Sequence, residues 1–225
     1  MTEGGRPKRK ARKRAPALDA KMLPAQLRSQ DTYEHILETA GKLLAHVGFE
    51  EITTNLICRE ADMTPPALYR YFPNKYAILK ILGERLIAVQ DAIVAKWLAS
   101  EASGQHGPEE PVGRIVSVLH GLIDVTKAFP GGIAINRAIH AVPLLRQLHI
   151  ASREAVASQI YDLLQPQFPA VSETRMRAAA RLVSELSSAL MEMVMEEPGQ
   201  DTEGLVYEAA FVFASYFRAL RGISS

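Results

Sequence analysis

The segment from Thr53 to Lys75, TTNLICREADMTPPALYRYFPNK, is rich in side chains that hydrogen-bond. Thr53, Thr54, Thr64, Tyr69 and Tyr71 carry hydroxyls, Asn55 an amide, and Arg70 and Lys75 fixed positive charge. A hydroxyl or ammonium at the right reach is all that a phosphate oxygen needs, so Tyr69, Tyr71 and Lys75 suit a nucleic-acid backbone. Arg70 can fork onto a guanine, and Pro66 and Ala67 are small enough to lie against thymine methyls. These residue types read a duplex more readily than they break a bond.

Residues that would do covalent or metal chemistry are sparse. The single cysteine, Cys58, excludes a disulfide framework and a cysteine-based zinc cage within one chain, and a small packed thiol is expected there. His120 and Asp124 lie one helical turn apart, but two ligands are too few for a metal, and such a pair is ordinarily a surface contact. His140 and His149 are nine positions apart, so on one helix they do not share a face closely and read as core-edge histidines. No glycine-rich phosphate loop, nucleophile elbow or paired-carboxylate arrangement is present. The expectation is no enzyme, no catalytic residue, no cofactor and no metal.

The elements that must position Thr53 to Lys75 are helical. Tyr33, Ile36, Leu37, Ala40, Leu43, Leu44 and Val47 recur at steps of three and four, which builds one apolar helix face that Gly48 ends. Thr53 can cap a second helix that turns Leu56, Ile57 and Ala61 inward. After a short turn at Asp62 and Met63, Thr64 caps a third helix with Pro65 at its first position, where a missing N–H costs nothing. Leu68 and Phe72, four apart, anchor it and leave Pro65, Pro66, Ala67, Tyr69, Arg70 and Tyr71 for other faces. Two short helices joined by a tight turn and braced by a longer one make a helix-turn-helix unit.

The stretch GFEEITTNLICREADMTPPALYRYFPNKYAIL, Gly48 to Leu79, resembles the DNA-binding segment of the tetracycline-repressor (TetR) family of bacterial regulators. The resemblance implies an all-α homodimer with an N-terminal three-helix helix-turn-helix domain and a larger C-terminal helical domain for ligand binding and dimerisation. By position it makes Thr53 or Thr54 a phosphate contact, and Tyr69, Tyr71 and Lys75 a backbone clamp. Pro65, Pro66, Ala67 and Arg70 then fall where base contacts are made, with Asn55 on a base or a phosphate. Two positions depart from the family pattern. Asp62 stands where glycine is usual, and Asp tolerates the left-handed conformation needed there. Pro65-Pro66 removes donors from the reading edge and shifts weight to shape and methyl contacts.

Charge is uneven. The run RPKRKARKR, Arg6 to Arg14, holds seven cations and no anion, and the remaining 19 basic residues face 25 acidic ones. With Pro7, Pro16 and no apolar periodicity, residues 1–27 read as a disordered basic arm that either only solubilises the chain or binds phosphates. From Asp31 to Lys75, four cations face seven carboxylates, so an added cationic arm would raise affinity for DNA.

The domain division expected is 1–27 for the arm, 28–76 for the DNA-binding unit and 77–225 for the remainder. That remainder is helical in pattern: a connecting helix from about Lys75 to Leu98, then Val112 to Ala128, Ile133 to Ile150 kinked at Pro143, Ser152 to Leu164, and two broadly apolar helices. One of these carries Met176, Ala179, Ala180, Val183, Leu186, Leu190, Met193 and Val194, and the other Leu205, Ala209, Val212, Phe213, Tyr216, Phe217 and Leu220. Faces that wide call for a second copy of the chain. Trp97, Leu119, Ile123, Phe129, Ile135, Ile139, His140, Leu144, Leu148, Tyr161 and Phe168 are candidates to line a cavity for a small apolar or amphipathic effector. No run is long and apolar enough for a membrane helix, and a cytoplasmic location fits. The function expected is a ligand-responsive repressor binding a palindromic DNA operator. The alternative is a module of the same fold that binds a ligand or protein partner with weak or no specific DNA binding.

Overall fold

Helix α1 (Leu27–Glu51) runs regularly until Gly48, whose φ of 71° and ψ of 178° kink it sharply. Tyr33, Ile36, Leu37, Ala40 and Leu44 bury one side of it, as their spacing requires. Helices α2 (Thr54–Glu60) and α3 (Pro65–Tyr71) lie across that side and send Ile57, Cys58, Leu68 and Phe72 into the same core. In this computed structural model residues 16–21, 27–104, 110–196 and 199–222 are described, and the basic run Arg6 to Arg14 lies outside them.

Helix α4 (Lys75–Ser103) begins at Asn74, whose side-chain oxygen accepts the Ala77 N–H at 3.1 Å, and extends five residues past the expected end at Leu98. It is the axis of the molecule. Its first turns complete the core under α1 to α3, where Arg85 clasps Glu34 of α1 through two hydrogen bonds of 2.5 and 2.7 Å. The guanidinium holds the Glu34 carboxyl below the usual carboxylate range.

Helix α5 (Pro111–Ala128) and helix α6 (Gly132–Ala141) meet at the FPGG turn. Gly131 has φ 72°, and a Cβ there would stand 2.2 Å from the Gly41 carbonyl oxygen of α1, so only glycine fits the crossing. Pro143 was expected to kink one helix running to Ile150; instead it ends α6. Val142 is extended, Pro143–Leu145 forms a single 3₁₀ turn, and α7 (Arg146–Leu164) then runs unbroken through Ile150. The cause is local: proline pushes the residue before it out of the helical region and supplies no N–H.

Helices α8 (Glu173–Glu196) and α9 (Thr202–Gly222) close the fold against α7 and α5. Nine α-helices and no strand occur among the described residues. The first core includes Ile135 and Ile139 of α6 together with Val142 and Leu145, so it continues beyond the helix-turn-helix into the larger part of the chain. Three smaller clusters hold the rest. No single described helix is long and apolar enough to cross a membrane.

Candidate functional site

The turn between α2 and α3 is a Schellman motif. Met63 N–H reaches the Cys58 carbonyl at 2.9 Å, Asp62 N–H reaches that of Arg59 at 3.3 Å, and Asp62 sits at φ 49°. Thr53 caps α2 through its hydroxyl, which accepts the Leu56 N–H at 3.1 Å. Thr64 takes the equivalent position before α3 but makes no side-chain cap. Pro66 has removed one of the two donors it would serve, and the other, the Ala67 N–H, is taken at 3.0 Å by the Thr64 carbonyl. The Thr64 side chain stays on the exposed surface.

Tyr69 is 39% exposed, and its hydroxyl lies 2.9 Å from Thr54 Oγ1. That bond ties the start of α2 to the outer face of α3 and holds two hydroxyls side by side. Thr53, Asn55, Pro65, Pro66 and Arg70 are also exposed, and Ala67 is half-buried, so all lie on accessible parts of the two short helices.

Two expected clamp residues stand elsewhere. Tyr71 is 4% exposed and packs edge-on to Tyr33, with ring centroids 6.1 Å apart, because at three positions after Leu68 it shares the inward side of a seven-residue helix. Lys75 donates to the Phe49 and Glu50 carbonyls at 3.0 and 3.3 Å and lies 4.3 Å from the Phe49 ring centroid. Its ammonium supplies the hydrogen bonds that the kink at Gly48 leaves open.

The segment 16–21, expected to be disordered with the arm, is docked beside this surface. Lys21 N–H binds the Tyr71 carbonyl at 2.8 Å and its ammonium the Tyr69 carbonyl at 3.2 Å. Asn74 donates to the Ala17 carbonyl at 2.8 Å, and Lys80 pairs with Asp19 at 2.7 Å, which raises the Lys80 pKa. The exposed carbonyls at the end of a helix that has no glycine cap attract such a strap, a demand that composition alone does not reveal.

A cavity of about 460 Å³ opens among α4 to α9. Of the expected lining, Trp97, Leu119, Ile139, His140 and Phe168 are there. Ile123 is buried between α5 and α9, while Phe129, Ile135, Leu144 and Leu148 belong to the first core. Tyr161 lies under the Arg177 guanidinium, 4.0 Å from its ring centroid. Ile123, Ile135, Leu148 and Tyr161 sit on helices that line the cavity through other faces, whereas Phe129 and Leu144 lie in the turns after α5 and α6.

His140 and His149 come together after all, with ring centroids 4.0 Å apart, because the break at Pro143 folds α7 back along α6. His149 also meets Ser188 Oγ at 3.1 Å. Burial, then the neighbouring His140 and Arg153, push its pKa down to about 3, so it is neutral at physiological pH. Burial raises the Asp91 pKa against the opposing effect of Ser152, which donates to it at 2.9 Å. His120 pairs not with Asp124 but with Glu203 of α9 at 3.2 Å. Cys58 is buried, and burial pushes its thiol pKa up. Arg114, Arg153, Arg218 and Arg221 on the cavity wall were missed by periodicity, since charged residues at helix edges read as solvated.

Comparison with known proteins agrees with this architecture. Residues 36–82 match the model for bacterial regulatory proteins of the tetR family, and residues 115–217 the model for the tetracyclin repressor-like C-terminal domain. The HTH-type transcriptional regulator UidR of Escherichia coli K12 is 23% identical over 201 residues, covering 88% of this chain and 94% of that one. The nucleoid occlusion factor SlmA of Haemophilus influenzae is 26% identical over 128 residues, which span 57% of this chain and 53% of SlmA. Among solved structures, a tetR-family regulator from Streptomyces coelicolor superposes with a TM-score of 0.63 at 18% identity, over 86% of this chain and 83% of that one. Thermus thermophilus FadR, a TetR-family repressor in complex with lauroyl-CoA, gives 0.54 at 20% identity over 80% and 92%. The chain belongs to the tetracycline-repressor family of bacterial regulatory proteins.

Proposed function

We propose that the protein is a ligand-responsive transcription regulator, acting as a repressor, that binds a palindromic operator in the bacterial cytoplasm as a homodimer. Regulators of this family bind DNA and dimerise. The observation that carries the reading to this chain is the Thr54–Tyr69 hydroxyl pair, preorganised at 2.9 Å on the exposed side of the two short helices. One hydroxyl of the pair donates to the other, and the second keeps its hydrogen free at a fixed position for a phosphate oxygen, while Arg70, exposed on α3, supplies the fork for a guanine.

The dimer surface is formed by α8 and α9. Leu182, Leu186 and Met193 line one exposed stripe and Tyr207, Phe211 and Val212 another, with Phe211 47% and Val212 52% exposed. Apolar side chains at helical spacing on two adjacent helices favour an interface rather than solvent. Residues 28–76 then act as the DNA-binding unit, 77–225 as the effector and dimerisation unit, and the basic arm adds phosphate contacts from the strap at 16–21.

Regulation runs through shared helices. Ile139 belongs both to the core beneath the helix-turn-helix and to the cavity wall, and α4 carries Leu82 and Leu86 in that core and Asp91 and Val94 on the wall. An effector that binds one spacing of the paired helix-turn-helix units better than another shifts the population toward that spacing.

Selection of sites from a random duplex pool, at low and physiological salt, with Tyr69→Ala alongside, tests the reading. The expected result is an enriched palindrome that the variant does not enrich. Pro65-Pro66 on the reading edge and the internal commitment of Lys75 favour a second reading, a ligand or partner module without specific DNA binding. Binding that enriches no sequence and fades as salt rises would establish that second reading and leave the arm as the only nucleic-acid contact.

A further inference from the structure

The wall of the cavity is unequal in charge. Among the described residues, Arg114, Arg153, Arg218 and Arg221 line it against two carboxylates, Asp91 and Glu101. Glu101 is already matched by Arg114 at 2.8 Å. This surplus of guanidinium stands in a chain that is net acidic once its leading basic run is set aside. The rest of the lining is predominantly aliphatic and aromatic, as a site for an apolar molecule requires.

Two residues of this lining each hold a buried nitrogen with no partner in the protein. Trp97 Nε1 is buried without a hydrogen bond, and so is Arg153 Nε, although Arg153 Nη1 is engaged by Glu185. Glu185 is held from its other oxygen by Arg181 at 2.7 Å, so the carboxylate opposite Arg153 is shared between two guanidiniums. Buried donors left unpaired are costly, and the atom that relieves them must be an acceptor.

We propose that the cavity takes a hydrophobic carboxylic acid, whose oxygens are received by the Trp97 and Arg153 N–H groups within the arginine-rich wall. This rests on the reading of the cavity as the effector site, and it specifies the head group that the site selects. An amine is the wrong partner on two counts: it brings donors to donors, and it enters a wall that already opposes a proton on His149. An alcohol or alkane fills the apolar volume but cannot match the guanidinium charge.

The chain's only tryptophan is Trp97, so its emission reports occupancy directly. The full chain at neutral pH is titrated with decanoate, decanol and decylammonium, each below its solubility limit or micelle concentration. Decanoate is expected to bind about tenfold or more tighter than decanol, with the ammonium probe weakest, as a charge-assisted hydrogen bond against a neutral contact predicts. Arg153→Met, which leaves Glu185 still paired with Arg181, is expected to weaken decanoate about tenfold and leave decanol unchanged. Trp97→Phe, followed by calorimetry, should weaken decanoate roughly threefold to tenfold.

Decanol or the ammonium probe binding as well as decanoate would overturn the head-group assignment while leaving the effector cavity standing. Failure of all three probes to bind would overturn both. Should Arg153→Met not fold, the ranking of the three probes on the unaltered chain decides the matter alone.

Discussion

In α1 to α3 three helix ends are tied by side chains or a tight turn: the Thr53 hydroxyl caps α2, the Schellman turn at Asp62 ends it, and the Lys75 ammonium reaches back to the carbonyls at the Gly48 kink. Ile36, Leu68 and Phe72 are fully buried between them. In α4 to α9 the side chains instead enclose about 460 Å³, the apolar clusters are separate, and two donors stay unpaired. One end is packed to hold a single shape and the other leaves room for a guest. A closely packed core transmits a displacement, whereas a cavity can register one, so the proposed reading and sensing roles fit opposite ends of α4.

The joint between them is the place to break this comparison. Gly131→Ala would put a Cβ 2.2 Å from the Gly41 carbonyl at a positive φ, forcing α1 away from the α5–α6 corner. We expect a loss of about 3 kcal/mol or more, or roughly 6–12 °C in Tm for a chain of this size. Both ends should melt together, since the first core spans α1 and α6. Separate transitions by far-ultraviolet dichroism and Trp97 emission would mean that the joint does not couple them.

Phe211→Glu tests whether the apolar face of the sensing end is an interface. A charge placed among Tyr207, Val212 and the α8 stripe should raise the dimer dissociation constant about a hundredfold, as loss of a buried aromatic anchor does. Sedimentation equilibrium measures it. An unchanged oligomeric state would move the interface elsewhere.

Tyr69→Phe acts only at the reading end. It removes the hydroxyl bonded to Thr54 from an exposed position, so stability should change by less than about 0.5 kcal/mol. Affinity for a selected duplex should fall about tenfold by fluorescence anisotropy, with Thr54→Ala less than additive to it because the two share one bond.

Legibility followed the same division. The helix-turn-helix was readable because its determinants are local: Leu68 and Phe72 are four apart, Thr53 precedes the helix it caps, and Asp62 follows the one it ends. Tyr71 was misplaced because a seven-residue helix has too few turns for periodicity to separate a flank from a buried side. The cavity was half legible. Trp97 and Ile139 fell on it by apolar character, but the choice among Ile123, Ile135 and Ile139 depends on how six helices cross, which no window along the chain contains. The His140–His149 contact required the chain to reverse at Pro143, and a kink and a full break differ only in packing.

His149 gives the cavity end a pH dependence of its own. Its folded pKa of about 3 lies below the ordinary histidine value of 6.5, so the unfolded chain binds the extra proton between those limits. The contribution to stability is therefore fully present above about pH 6.5 and is lost progressively as pH falls toward 3. His149→Gln should flatten the decline of Tm between pH 7 and pH 5 relative to the unaltered chain. An identical slope would place the imidazole in free contact with water.

The smallest effect expected is also a test of how completely the reading end is packed to one shape. Asp62 occupies the left-handed position of the Schellman turn with φ 49°, a conformation that a side chain other than glycine enters at a cost. Asp62→Gly relieves that cost but adds conformational freedom to the unfolded chain, so the two terms oppose each other. The left-handed penalty is about 1 kcal/mol and the entropic one somewhat less, which leaves a net gain of a few tenths of a kcal/mol. Removal of one carboxylate beside α3 acts in the same direction on duplex affinity, since the segment from Asp31 to Lys75 is net acidic. A Tm raised by about 1 °C with duplex binding equal or stronger is the expected outcome in thermal melts and anisotropy. A lower Tm would mean that the Asp62 side chain itself stabilises the turn, and that the strain assigned to its backbone is offset where it arises.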